Sequence, residues 1–123
     1  MNLRRDLSER HENFAAEVIK GIAKIQRNFA GRHISGQLIR SSTSAGANYE
    51  EACGAESRPD FIHKLQIVLK ELRESLFWLR LCLRADLIPA EVVRPLLKEG
   101  NELANIIAKS IVTAKRGRSK EGD

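Results

Sequence analysis

The stretch from Gln37 to Leu79 constrains the chain more than any other, because its two halves are built from opposite materials. Its first half, QLIRSSTSAGANYEEA, carries Leu38, Ile39 and Tyr49 among small Ser, Thr, Ala and Gly. After a turn at SRPD, its second half, FIHKLQIVLKELRESLFWL, is dense with large apolar residues. Leu38, Ser42, Ala45, Tyr49 and Ala52 step by 4, 3, 4 and 3, a helical seam made mostly of small side chains that lets a neighbouring helix come close. Ser41, Ser42, Thr43, Ser44 and Gly46 each disfavour a helix interior by roughly 0.5 to 1 kcal/mol relative to Ala, so tertiary contacts must hold this segment helical.

The helix it meets is doubly striped. Phe61, Leu65, Val68, Leu72, Ser75, Leu79 and Cys82 form one seam, and Ile62, Leu69, Leu76 and Leu83 a second, so two sets of neighbours are needed. That width exceeds what a four-helix monomer requires and points to self-association. Ser57 with Asp60 gives a capping box ahead of this helix, and Pro59 falls in its first turn. If the two helices run antiparallel about Ser57 and Arg58, Arg40 lies opposite Glu74, Ser44 opposite Glu71, Glu51 opposite Lys64, and Gln37 opposite the Trp78 indole. A structural polar network of Arg40, Ser44, Glu51, Lys64, Glu71 and Glu74 is therefore expected, in preference to a catalytic carboxylate pair.

Two more helical patterns flank this hairpin. The first has a capping box at Asp6 and Glu9, a seam of Leu7, His11, Phe14, Val18, Gly21 or Ile22, Ile25 and Phe29, and Gly31 as its stop. The last follows Pro89 with Val93, Leu96, Gly100, Leu103, Ile107, Ile111 and Ala114, Gly100 marking a close approach. No stretch alternates as a strand does. The expectation is an all-α, antiparallel up-down-up-down four-helix bundle, one domain over residues 1–114 with helices at about 6–30, 34–56, 58–85 and 89–114, and a disordered basic tail at 115–123.

At 123 residues the chain can bury a core without disulfide or metal staples. Cys53 and Cys82 form no CxxC pattern and read as reduced thiols; with a charged start and no apolar run long enough for a bilayer, the expected setting is cytoplasmic, without a membrane partner. His11 on an apolar stripe reads as a core histidine. Asp60-x-x-His63 is a single approximation to a motif that a di-iron bundle needs twice, and the one glycine of RSSTSAG follows no strand and precedes no Lys-Ser/Thr pair, so no metal, cofactor, phosphate loop or small-molecule substrate is expected. No hydroxyl or thiol has a His base in motif spacing, so no catalytic residue is named and the expectation is not an enzyme.

The formal charge of +5 is uneven: residues 1–32 carry seven basic against four acidic groups, and 115–123 four against two. Arg4, Arg5, Lys20, Lys24, Arg27, Lys115, Arg116, Arg118 and Lys120 form the candidate nucleic-acid-binding set, with Lys20, Lys24 and Arg27 spaced as one helical stripe. The contrary reading is a structural or protein-interaction scaffold whose cations are solvated surface. With one Tyr and one Trp, both placed in a seam or the network, any RNA or DNA binding is expected to be backbone-directed.

The segments QLIRSSTSAGANYEEA and AESRPDFIHKLQIVLKELRESLFWL resemble the bacterial four helix bundle protein family encoded in intervening sequences of 23S rRNA genes. They match its QLxRSxxSxxANxxEA and SxxDFIxKLxIxLKExRExxxWL patterns, and the likeness covers about Phe14 to Ala114. Glu51-Ala52 stands where one common variant has Glu-Gly. The resemblance implies a homopentamer. The accessory protein of diversity-generating retroelements is similar too, which implies a basic pentamer working with nucleic acid.

Overall fold

The computed structural model describes residues 2–122, with side chains from 2 to 117. Four helices follow in order: α1 Leu3–Ile22, α2 Phe29–Cys53, α3 Arg58–Arg84 and α4 Ala90–Gly122. Each packs against its neighbours in sequence, α4 closes back on α1, and the backbones of the diagonal pairs stay apart. This is an all-α up-down bundle.

The core follows the expected seams. Leu7, His11, Phe14 and Val18 of α1, Leu38, Ser42, Ala45, Tyr49 and Ala52 of α2, and Leu65, Val68, Leu72, Ser75, Leu79 and Cys82 of α3 are all buried. Val93, Leu96, Leu103, Ile107 and Ile111 of α4 complete it. Small residues set the spacing. The Ser41 and Ser75 hydroxyls, both fully buried, bond each other at 2.8 Å across α2 and α3, and Ser42 donates to the Leu38 carbonyl at 2.7 Å. The serines of α2 thus satisfy themselves inside an apolar interface at a volume that no larger residue could match. A Cβ on Gly100 would stand 2.8 Å from Leu76 Cδ2 and 3.3 Å from the Phe14 ring, so α4 approaches α1 and α3 closely there.

The first connection differs from expectation. α1 is capped by Asn2, whose side chain accepts from the Arg5 amide, and it ends at Ile22 instead of near residue 30. Asn28 caps α2 by accepting from the Gly31 amide at 2.8 Å, so Gly31 lies in the first turn of α2 and terminates nothing. Phe29, placed on the first helix's core seam by its spacing, opens α2 and is 83% exposed. The physical reason is the 23–28 turn: Ile25 folds inward to 7% exposure, and its chain passes so near Gly31 that a Cβ there would overlap the Gln26 carbonyl. Asn28 outcompetes helix continuation because its side chain satisfies an otherwise orphaned amide.

Ser57 caps α3 by accepting from the Asp60 amide at 3.1 Å. At the other end of α3, Asp86 takes a left-handed φ of 55°, the Leu87 amide donates to the Cys82 carbonyl at 2.9 Å, and the Asp86 amide to Leu83 at 3.3 Å. These bonds are those of a Schellman stop. α4 continues past Ala114 to Gly122, where composition led to the expectation of a disordered tail. Lys, Arg and Glu are good helix formers, and cations near a C-terminus favour the helix dipole.

Candidate nucleic-acid interface

The outer face of α3 carries His63, Gln66, Lys70, Arg73, Phe77, Arg80 and Arg84, all exposed and spaced by 3 or 4. That spacing makes one stripe. It holds four cations and no carboxylate, and from Lys70 to Arg84 it runs about 21 Å at the helical rise. Among the described residues none of these four cations makes a hydrogen bond or ion pair. Phe77, 50% exposed, stands between Arg73 and Arg80 with its ring edge-on to Trp78, centroids 5.0 Å apart. Trp78 is itself fixed by an edge contact with His33 and by donating from Nε1 to Glu74 at 3.3 Å. Phe77 is thus a placed aromatic surface within a basic row.

This row is absent from the set read from the sequence, although its signal is there: the cations recur at helical spacing on the one side of α3 left by its two apolar seams. Charge summed over segments hides it, since Glu71 and Glu74 of the same helix lower the total while facing elsewhere.

The residues expected to bind nucleic acid fall into two groups. Arg4 and Arg5 open α1, at the bundle end where α4 carries Lys115 and Arg116, both exposed. Lys20, Lys24 and Arg27 lie at the other end, about 25 Å along α1. Because α1 ends at Ile22, Lys24 and Arg27 belong to the connecting turn and do not share a helical stripe with Lys20. Lys20 pairs with Glu17 at 3.2 Å and Arg5 with Glu9 at 3.7 Å. The side chains of Arg118 and Lys120 lie outside the described residues.

The polar network has a centre. Arg40 donates from Nη1 to Glu71 Oε2 at 3.0 Å, pairs through Nη2 with Glu74, and donates from Nε to Gln37 Oε1 at 3.2 Å. Lys64 donates to Glu51 at 3.2 Å. Ser44 differs from the expected pairing with Glu71: its hydroxyl accepts from Asn48 within α2, at 3.2 Å. Gln37 likewise does not serve Trp78, since Glu74 is nearer along the same helix. On the α1–α4 side Arg10 donates to Glu99 at 2.6 Å and to Glu102 at 2.9 Å, which holds the Glu99 carboxyl below the usual range.

His11 is buried among these elements. Its ring stacks on Tyr49 at 4.9 Å, Nδ1 donates to the Leu7 carbonyl at 2.8 Å, and Nε2 has no partner among the described residues. Burial pushes its pKa down against the Leu7 bond, and burial pushes the Tyr49 phenol up. Both cysteines are free. Among the described residues no three His, Cys, Asp or Glu side chains are grouped to hold a metal ion, and no helix is long and apolar enough to cross a membrane.

The model of the 23S rRNA-intervening sequence protein family matches residues 6–109. The chain belongs to this family. A crystal structure from Bacteroides thetaiotaomicron, described as a protein with unknown function from the S23 ribosomal protein family, is similar at 34% identity. The likeness covers 85% of this chain and 97% of that one, with a TM-score of 0.76. Comparison with curated proteins gives no match. The family match takes in α2, α3 and the α3 stripe whole, but ends before Lys115 and Arg116.

Proposed function

We propose that this family member is a homo-oligomeric binding module, pentameric as its resemblance implies, that holds nucleic-acid backbone along α3 and performs no catalysis. The observation that carries the reading is the row Lys70, Arg73, Arg80 and Arg84, exposed and free of carboxylate partners among the described residues. A solvated helix face in a bundle this size ordinarily mixes signs, and Arg5, Arg10, Lys20, Arg40 and Lys64 elsewhere in this chain do sit beside acids. Unpaired cations one or two turns apart can each replace a counterion at a phosphate, and oligomerisation multiplies the field. The words rRNA and ribosomal in the names of its relatives make RNA the first ligand to try. Exposed Phe29 and Phe77 favour a second reading, a protein-interaction scaffold in which the same surface docks a partner chain.

Titration of labelled single-stranded RNA, duplex RNA and duplex DNA at two salt concentrations separates the readings. Binding through the row weakens steeply with salt, by a slope of about 0.7 to 0.9 per phosphate contacted, and changing Lys70, Arg73, Arg80 and Arg84 to Glu together removes it. Absence of binding at about 50 mM salt leaves the scaffold reading. Light scattering tests the assembly separately, and the mass of a single chain would overturn it.

A further inference from the structure

Where α1 and α3 begin and α2 and α4 end, the helices leave an open cleft of about 740 Å³. Its floor is apolar, made by Ala52, Phe61, Ile106 and Ala114, with Leu3 67% exposed at the edge. Among the described residues that line it, the charged ones are the cations Arg4, Arg58 and Lys109 and the carboxylate Glu56. The Arg4 guanidinium carbon lies 5.4 Å from the Phe61 ring centroid, and Nη1 donates to the Cys53 carbonyl at 3.5 Å, so this cation is held over the apolar floor. Lys109 is exposed and unpaired among the described residues.

A volume of this size falls within the range of about 300 to 1,000 Å³ typical of small-molecule sites. Apolar floor and cationic rim together specify a ligand with an alkyl body and one anionic head. The α4 wall from Ile106 to Ala114 is about 12 Å long at the helical rise, which suits an extended medium-chain acid. We propose that the cleft binds a free medium-chain alkyl carboxylate, its chain along Phe61 and Ile106 and its head between Arg4 and Lys109. The site is separate from the α3 row.

Cys53 provides a local reporter, because it is half-buried on the cleft wall, whereas the Cys82 thiol is fully buried and pushed up to about 11. Alkylation of the intact chain by iodoacetamide, followed by mass spectrometry, therefore reads Cys53 against an internal control. Decanoate is expected to slow Cys53 modification several-fold in a saturable way. Shorter acids should bind more weakly, by up to about fourfold per buried methylene lost. Decyltrimethylammonium should give no protection, and joint Arg4→Glu and Lys109→Glu substitution should abolish the decanoate effect without changing the helical melting curve. Equal protection by the cationic amphiphile, or none by decanoate, overturns the proposal. So does protection that grows with protein concentration alone, which would put a second copy in the cleft, or protection only by phosphatidylglycerol vesicles, which would put a membrane surface there.

Discussion

The Arg40 guanidinium reaches across from α2 to α3 and bonds Glu71 at 3.0 Å, a carboxylate whose side chain is only 10% exposed while that of Arg40 is 47% exposed. The asymmetry decides which partner depends on the other. Arg40 can turn to water; Glu71 cannot without opening the interface. Arg40→Ala should therefore cost about 1 to 3 kcal/mol, the range for leaving a buried acceptor unmatched, and lower the urea midpoint without changing the m-value. Glu71→Gln removes the charge that needs compensating, so the double variant should be less destabilised than the two single losses summed, by at least about 0.5 kcal/mol. Strict additivity would mean that Glu71 is solvated in spite of its position.

Gly31 has a steric duty that its place near a helix end disguises. A Cβ there would lie 2.7 Å from Ile25 Cγ2 and overlap the Gln26 carbonyl, which is backbone and cannot rotate aside. Gly31→Ala should destabilise by about 1 to 3 kcal/mol despite alanine's better helix propensity, because the 23–28 turn must move. Gly36, exposed with nothing within 4 Å of its Cβ position, is the control: Gly36→Ala should stabilise by up to about 1 kcal/mol. Thermal melts of the pair measure both signs at once.

These two cases show where the sequence was legible. Periodicity located the seams of α2, α3 and α4, and an antiparallel register placed Arg40 against the Glu71 and Glu74 turn, because facing helices leave few choices once their apolar stripes are fixed. The first connection is not legible in the pattern, since Gly31 fits a stop as well as a close approach, and spacing does not separate the two. Trp78 found Glu74 instead of Gln37 because a one-turn reach on its own helix competes with a reach across the interface. The α3 row is masked in a segment charge sum for a different reason: net charge averages over faces, whereas Glu71 and Glu74 turn toward Arg40 of α2 and four cations of the same helix turn outward.

Asp86 occupies the left-handed position of the α3 stop, where the absence of a side chain is favoured. A non-glycine residue is strained there by about 1 to 2 kcal/mol, less for Asp because its short side chain tolerates the conformation. Asp86→Gly should accordingly raise stability by about 0.5 to 1 kcal/mol, even though glycine enlarges the unfolded ensemble. Asp86→Val should lower it. A denaturation series that ranks Gly below Asp would show that the carboxylate contributes more than the backbone strain removes.

His11 should make stability fall in mild acid. Burial holds its folded pKa below the ordinary value of 6.5, so in the unfolded chain the imidazole takes up a proton that the folded chain resists. Stability from the neutral ring is fully present above about pH 6.5 and is lost as pH drops below that value toward the folded pKa, with a slope of at most about 1.4 kcal/mol per pH unit for one proton. Glu99, whose pKa is depressed below an ordinary 4.5 by Arg10, loses its contribution only at lower pH, so the interval from pH 7 to 5 isolates His11. His11→Phe keeps an aromatic ring against Tyr49 and removes the unpartnered Nε2. Its urea midpoint should be flat across that interval while the parent chain's declines, and parallel declines would place the titrating group elsewhere.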